Sequence, residues 1–221
     1  MGVQLDPSFV SIVPLGGRYV RHFWSLLTDL HIPYATLVDL DLGRAHGGAK
    51  TIREIVSKLV ESGTDLSTNW YVVMDEIDLD ELEDLEDDAL LDPYEENKWL
   101  QALKEEGVFF SYPLDLDFSM LTAFRETYQR PNPGGRGPRA DAVAIQEKKA
   151  ITLKTGGDPD IYGDAYDEEF TWYPYLFLNR SKPETHLDAL SRVSDEDMAK
   201  NLPPELKALI VYVKVALGLN G

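Results

Sequence analysis

Apolar positions along the chain switch between two periods. From Arg18 to Leu30 (RYVRHFWSLLTDL) they fall at 19, 20, 23, 26, 27 and 30, the spacing of a helix with one buried face. Ahead of it, Ser8 to Val13 (SFVSIV) is a short β-prone run that stops at Pro14, and Gly16-Gly17 separates the two. After Pro33, Tyr34 to Val38 (YATLV) predicts a buried strand leading into Asp39-Leu40-Asp41. The loop Gly43 to Gly48 (GRAHGG) follows. A second helix is predicted over about Ala49 to Ser62, with Ile52, Ile55, Val56, Leu59 and Val60 on one face. Asn97 to Glu106 predicts another helix, stopped by Gly107. Val108 to Tyr112 then predicts a strand running into Pro113-Leu114-Asp115-Leu116-Asp117, with a helix near Phe118 to Phe124. Strands alternating with helices predict an α/β domain on a parallel central sheet.

The C-terminal half reads as mostly helical. Ala142 to Lys154 predicts a helix, Tyr173 to Leu178 (YPYLFL) a strand-like apolar run, and Lys182-Pro183 opens a helix over Thr185 to Val193. Pro203-Pro204 opens a last helix to about Leu217. One domain over 1–221 accounts for this pattern. It carries an acidic helical insertion over 65–106, a Pro/Gly/Arg loop over 130–139 (RPNPGGRGPR) and a C-terminal helical part over 183–221.

Charge changes the picture locally. The chain of 221 residues has a net charge of −18, and thirteen acids with no base lie between Asp75 and Glu96. Without them the remainder carries only −5. Leu79, Leu82, Leu85, Ala89 and Leu90 recur every three or four residues inside the tract, which predicts an amphipathic helix with a solvated acidic face. The overall charge argues against nonspecific nucleic-acid binding, which needs a basic surface, but not against a metal-bridged phosphate contact. There is no cysteine, so disulfides, Cys-ligated zinc and a thiol nucleophile are excluded. No apolar run reaches the roughly 18 residues of a membrane span. The N-terminus lacks a basic, then apolar, leader, so a cytoplasmic location is expected.

The candidate chemistry lies in two aspartate doublets. Asp39 and Asp41 follow one predicted strand, and Asp115 and Asp117 follow another. Ligands of open parallel sheets bind outside the C-terminal strand ends. Four carboxylates meeting there repel one another unless a cation neutralises them. Oxygen-only ligands suit Mg²⁺ or Mn²⁺. A lone D-x-D is ordinarily a pair of loop acids; repetition at two strand ends carries the inference. Lys182, between an apolar run and a helix, is placed to neutralise charge developing on a phosphate. His186 is one helical turn further on. Arg18 after Gly16-Gly17, and Arg136 and Arg139 in the 130–139 loop, are candidate DNA contacts.

These segments together resemble the Toprim domain of OLD-family (overcoming lysogenization defect) nucleases. The resemblance rests on VPLGG (13–17), LVDLD (37–41), FFSYPLDLD (109–117) and KPETH (182–186), and extends from about Ser8 to Leu206. It implies a Rossmann-like Toprim fold and metal-dependent DNA cleavage, often in anti-phage defence. It also implies an ABC-type ATPase domain or subunit as partner, in cis or in trans, and a homo-oligomer is a further expected partner. Asp39, Asp41, Asp115 and Asp117 match the metal ligands for two ions, Asp39 and Asp115 also counting as catalytic. Lys182 matches the lysine that stabilises the transition state, and Ser111 and His186 would support the site. No Glu-bearing strand precedes Ser8 and no Walker A motif occurs in this sequence, so the chain is expected to correspond to the C-terminal portion of such a nuclease. Two rival readings remain open. One is a haloacid-dehalogenase-like phosphatase, because Val38-Asp39-Leu40-Asp41 resembles that family's nucleophile strand. The other is a binding or regulatory module that needs an N-terminal partner.

Overall fold

The structure, a computed structural model, describes residues 10–15, 20–131 and 134–219. The first helix, α1 (Val20–Asp29), buries Val20 and Trp24, and the Trp24 indole donates to Thr36 Oγ1 at 2.9 Å. Phe23, Leu26 and Leu30, which belong to the predicted apolar face, stay exposed. Strand β1 (Thr36–Asp39) is half-buried, whereas β2 (Val108–Ser111) is fully buried. The two lie parallel, with Thr36 opposite Val108 and Asp39 opposite Ser111. Helix α2 (Ala49–Glu61) follows β1 and buries Ala49, Ile52, Ile55, Val56 and Leu59, so its predicted face is present except for exposed Val60.

The described residues contain this two-stranded parallel sheet within a largely helical α/β chain. Val10 to Val13, the described part of the predicted first strand, has no regular structure, and Ile12 and Val13 are exposed. A strand persists only where a neighbour takes up its backbone donors and acceptors. Ser8, Phe9, Gly16, Gly17 and Arg18 lie outside the described residues.

The acidic tract departs from the predicted helix. After the short α3 (Trp70–Val73) it forms only single 3₁₀ turns, Leu82–Asp84 and Asp87–Leu90. Acids three or four apart with no basic partner oppose a continuous helix. The segment is pinned instead by buried Ile77, Leu85, Leu90 and Tyr94, and by Arg53 of α2, which donates to the Leu85 carbonyl at 2.7 Å. Helix α4 (Lys98–Glu105) is capped by Asn97, whose side chain accepts from Leu100 N at 3.1 Å.

Beyond β2 come α5 (Leu116–Ala123), α6 (Arg125–Tyr128) and α7 (Ala142–Leu153). Then follows α8 (Asp167–Tyr173), which continues as a π-helical stretch, Pro174–Leu178. The YPYLFL run is therefore helical, not strand-like. Tyr173, Leu176 and Phe177 are buried at the three-and-four spacing that a helix brings to one face. The last helices are α9 (Lys182–Leu190), α10 (Asp195–Asn201) and α11 (Pro204–Ala216). Among the described residues no helix is long and apolar enough to cross a membrane.

An aromatic cluster joins α5 and α6 to α8 and the π-helical stretch that follows it. Phe118 meets Phe170 at 5.0 Å and Tyr173 at 5.9 Å, and Phe177 meets Tyr173 at 5.3 Å and Tyr128 at 6.0 Å. Tyrosines at the edge of such a cluster bury their rings and need partners for their hydroxyls. Here the partners belong to the strand-exit region.

Candidate metal centre

The two strands stay hydrogen-bonded past the end of the sheet. Leu40 N donates to the Ser111 carbonyl at 3.3 Å, Asp41 N to Leu114 at 2.7 Å, and Leu42 N to Pro113 at 3.1 Å. Leu40, Leu42 and Leu114 are fully buried, while the aspartates beside them make the polar contacts of this end of the fold. The two exits are thus held side by side, and the doublets come within each other's field.

Asp39 Oδ1 accepts from Ser111 Oγ at 2.7 Å and from Leu116 N at 3.3 Å. Although Asp39 keeps an exposed flank, crowding of its carboxylate raises its pKa above 3.8. Desolvation is the main cause. The Ser111 hydrogen bond opposes it, and repulsion from Asp115 and Asp117 adds to it. Asp41, with a left-handed φ of 54°, is also raised, first by desolvation, against the pull of Arg44, and then by the charges of Asp39 and Asp115. The turn after it is tight: a Cβ on Gly47 would fall 1.8 Å from the Asp41 carbonyl oxygen. Gly47 N donates to Arg44 O at 2.9 Å and Gly48 N to Leu40 O at 2.8 Å.

Asp115 caps α5, accepting from Phe118 N at 3.0 Å through Oδ1. Its Oδ2 accepts from the Tyr173 hydroxyl at 2.6 Å and from Arg44 Nη2 at 3.1 Å. Desolvation and the Asp115 charge push the Tyr173 hydroxyl far up, so it stays a donor. Asp117 sits in the first turn of α5 and is met from α9 by Lys182 Nζ and by His186 Nε2, the latter at 2.9 Å. Desolvation would raise the Asp117 carboxyl, but the His186 and Lys182 hydrogen bonds outweigh it and hold the group below 3.8. His186 is positioned in turn by the Tyr128 hydroxyl, 2.7 Å from its Nδ1.

All four predicted aspartates, Ser111, Lys182 and His186 therefore converge. Arg44 is the central residue that sequence reasoning missed. Its Nη1 pairs with Asp41 Oδ1 while Nη2 reaches Asp115, bridging the two doublets. A basic residue one turn beyond the first doublet, in a glycine-bounded loop, was the available signal. Tyr173 and Tyr128 carried no signal, because their partners lie far away in sequence. Asp87 of the acidic tract also acts at this end of the fold, accepting from Ala49 N at 2.7 Å to cap α2.

Of the predicted DNA contacts, Arg18 is outside the described residues, and Arg136 is exposed. Arg139, 82% exposed, pairs with Asp141 at 2.8 Å. A group of arginines around Asp188 was not predicted. Arg192 bonds Asp188 of α9 at 2.7 Å and, with Arg180 and Arg130, holds its carboxyl below the ordinary value.

The donor chemistry suits a hard divalent cation, being carboxylate oxygen with one imidazole nearby. In the present arrangement, however, no three His, Asp or Glu side chains among the described residues form a ready ligand cluster. The protein's own cations stand in the way: Arg44 takes Asp41 and Asp115, and Lys182 takes Asp117.

The architecture defines a mixed α/β protein with an acidic strand-exit site. A family model described as overcoming lysogenization defect protein-like, TOPRIM domain, matches residues 1–41, a stretch that ends on the first aspartate doublet. This similarity supports a Toprim-like family. No curated protein and no solved structure matches the chain.

Proposed function

We propose that this protein is a Toprim-like, Mg²⁺- or Mn²⁺-dependent DNA endonuclease that hydrolyses phosphodiester bonds. The observation that carries the reading is the hydrogen-bonded pair of strand exits, which puts Asp39 in the field of Asp115 and Asp117. Asp39, Asp41, Asp115 and Asp117 are the residues that would hold the metal. Two such ions, when bound, supply Lewis-acid activation of water and stabilisation of the leaving oxygen.

The chain's own residues would do the rest. Ser111 orients Asp39, Tyr173 orients Asp115, and His186 orients Asp117. Lys182, about half exposed, keeps its ammonium at the rim, where it can turn from Asp117 to a nonbridging phosphate oxygen. DNA would approach along Arg130, Arg180 and Arg192, with Arg136 and Arg139 as further phosphate contacts. An ABC-type ATPase domain or subunit is the proposed partner, with anti-phage defence as the setting.

Nicking of supercoiled plasmid with Mg²⁺ or Mn²⁺ tests this reading, with and without an ATPase partner. Cleavage by wild type and its loss in Asp39→Ala is the expected result. Equal cleavage by both, under every condition, refutes the assigned role. A second reading is favoured by the carboxylates that Arg44 and Lys182 already pair: a regulatory module that presents this site without catalysis. Stable folding with no calorimetric metal uptake would support that one.

A further inference from the structure

We propose that Arg44 is a resident counter-ion that competes with divalent metal for Asp41 and Asp115, so that metal enters only as Arg44 leaves. The proposal rests on the metal-dependent reading above and goes beyond it, assigning a role to a residue outside the ligand set. Four carboxylates share this end of the fold, and they cannot all ionise there without compensation. Arg44 supplies a permanent positive charge, since a guanidinium does not deprotonate. Its side chain is only 13% exposed, and its two terminal nitrogens go to carboxylates from different strand exits. That bridging position is the one an ion shared by the two doublets would need.

The remaining contacts of Arg44 are weak. Nε lies 3.4 Å from the Thr152 carbonyl and Nη2 lies 3.5 Å from the Tyr173 hydroxyl. Charge, more than neutral hydrogen bonding, therefore keeps the guanidinium in place, and charge is what an arriving divalent ion replaces. The loop need not move for release. Its backbone is tied by Arg44 N to Asp41 O, Gly47 N to Arg44 O and Gly48 N to Leu40 O, so only the side chain has to swing. Lys182 has a different geometry, since it meets Asp117 alone from a half-exposed position. Asp39, which no cation engages directly among the described residues, is the carboxylate left open for the first metal contact.

Mn²⁺ titration calorimetry on the full, metal-stripped chain tests this, comparing wild type, Arg44→Gln, Arg44→Lys and Asp39→Ala. Arg44→Gln is expected to tighten Mn²⁺ binding by about tenfold or more, equivalent to about 1.4 kcal/mol. Arg44→Lys should fall between it and wild type, and Asp39→Ala should weaken uptake. Equal or weaker binding by Arg44→Gln, with wild type still binding, overturns the counter-ion role and leaves the metal-site reading standing. Absence of uptake in every variant overturns both. Should Arg44→Gln fail to fold, NMR on the wild-type chain decides the matter. The Arg44 Nε–H resonance, assigned by its loss in Arg44→Lys, is followed by NMR through a Mg²⁺ titration. Displacement in step with Mg²⁺ supports release, and an unmoved signal at saturation refutes it.

Discussion

Replacing Tyr173 by phenylalanine isolates a single hydroxyl. The ring is 1% exposed and packs on Phe118 and Phe177, contacts that phenylalanine keeps. What disappears is the 2.6 Å bond to Asp115 Oδ2. A hydrogen bond to a charged group contributes about 1.5–3 kcal/mol. Asp115 retains Arg44 at 3.1 Å and Phe118 N at 3.0 Å, which favours the lower part of that range, about 2 kcal/mol. For a domain of this size the loss corresponds to a fall in melting temperature of roughly 4–8 °C. Urea unfolding in EDTA, followed by circular dichroism, measures it without metal linkage. Tyr94→Phe is the control, because the buried Tyr94 hydroxyl has no hydrogen-bond partner among the described residues. It should be neutral or stabilising by up to about 1 kcal/mol. A Tyr173→Phe loss below about 0.5 kcal/mol would refute the claim that this hydroxyl holds Asp115, since a buried charge cannot lose a donor so cheaply.

Other consequences of the same geometry can be measured. Asp117 is held below 3.8, so its stabilising contribution is complete above the ordinary carboxylate range and fades as pH falls below 3.8. Asp117→Asn should therefore flatten that acid limb of the stability curve in EDTA; an unchanged limb contradicts the pairing with His186 and Lys182. Gly47→Ala puts a methyl group 1.8 Å from the Asp41 carbonyl oxygen and should cost about 2–3 kcal/mol in chemical unfolding. Asp87→Ala removes the carboxylate that caps α2 and should cost about 1 kcal/mol, whereas alanine at exposed Asp80 in the same tract should cost little. Lys182→Ala should cost about 1 kcal/mol or less in stability, since the lysine is half exposed and His186 still meets Asp117, yet lower plasmid nicking by roughly 10²–10³-fold.

Much of this molecule is legible along the chain because the relevant physics is local. A buried helix face repeats every three or four residues, so α2 and α4 appear close to their predicted places. Leucine alternating with aspartate after β1 identifies an exit segment with buried leucines beside acids. The acidic tract and the YPYLFL run were misjudged where local pattern met a longer-range force. Unpaired repulsion broke the tract into single turns, and aromatic burial wound YPYLFL into a helix.

The strand-exit site divides in the same way. Its four aspartates are visible as two doublets, because ligand type and strand-end position are properties of short segments. Their compensation is not. Arg44 reaches Asp115 across 71 positions, Tyr173 reaches it across 58, and His186 reaches Asp117 across 69. Which cation sits between which carboxylates depends on how separate elements pack. Electrostatic energy depends on distance through space, and neighbourhood along the chain carries little of that information.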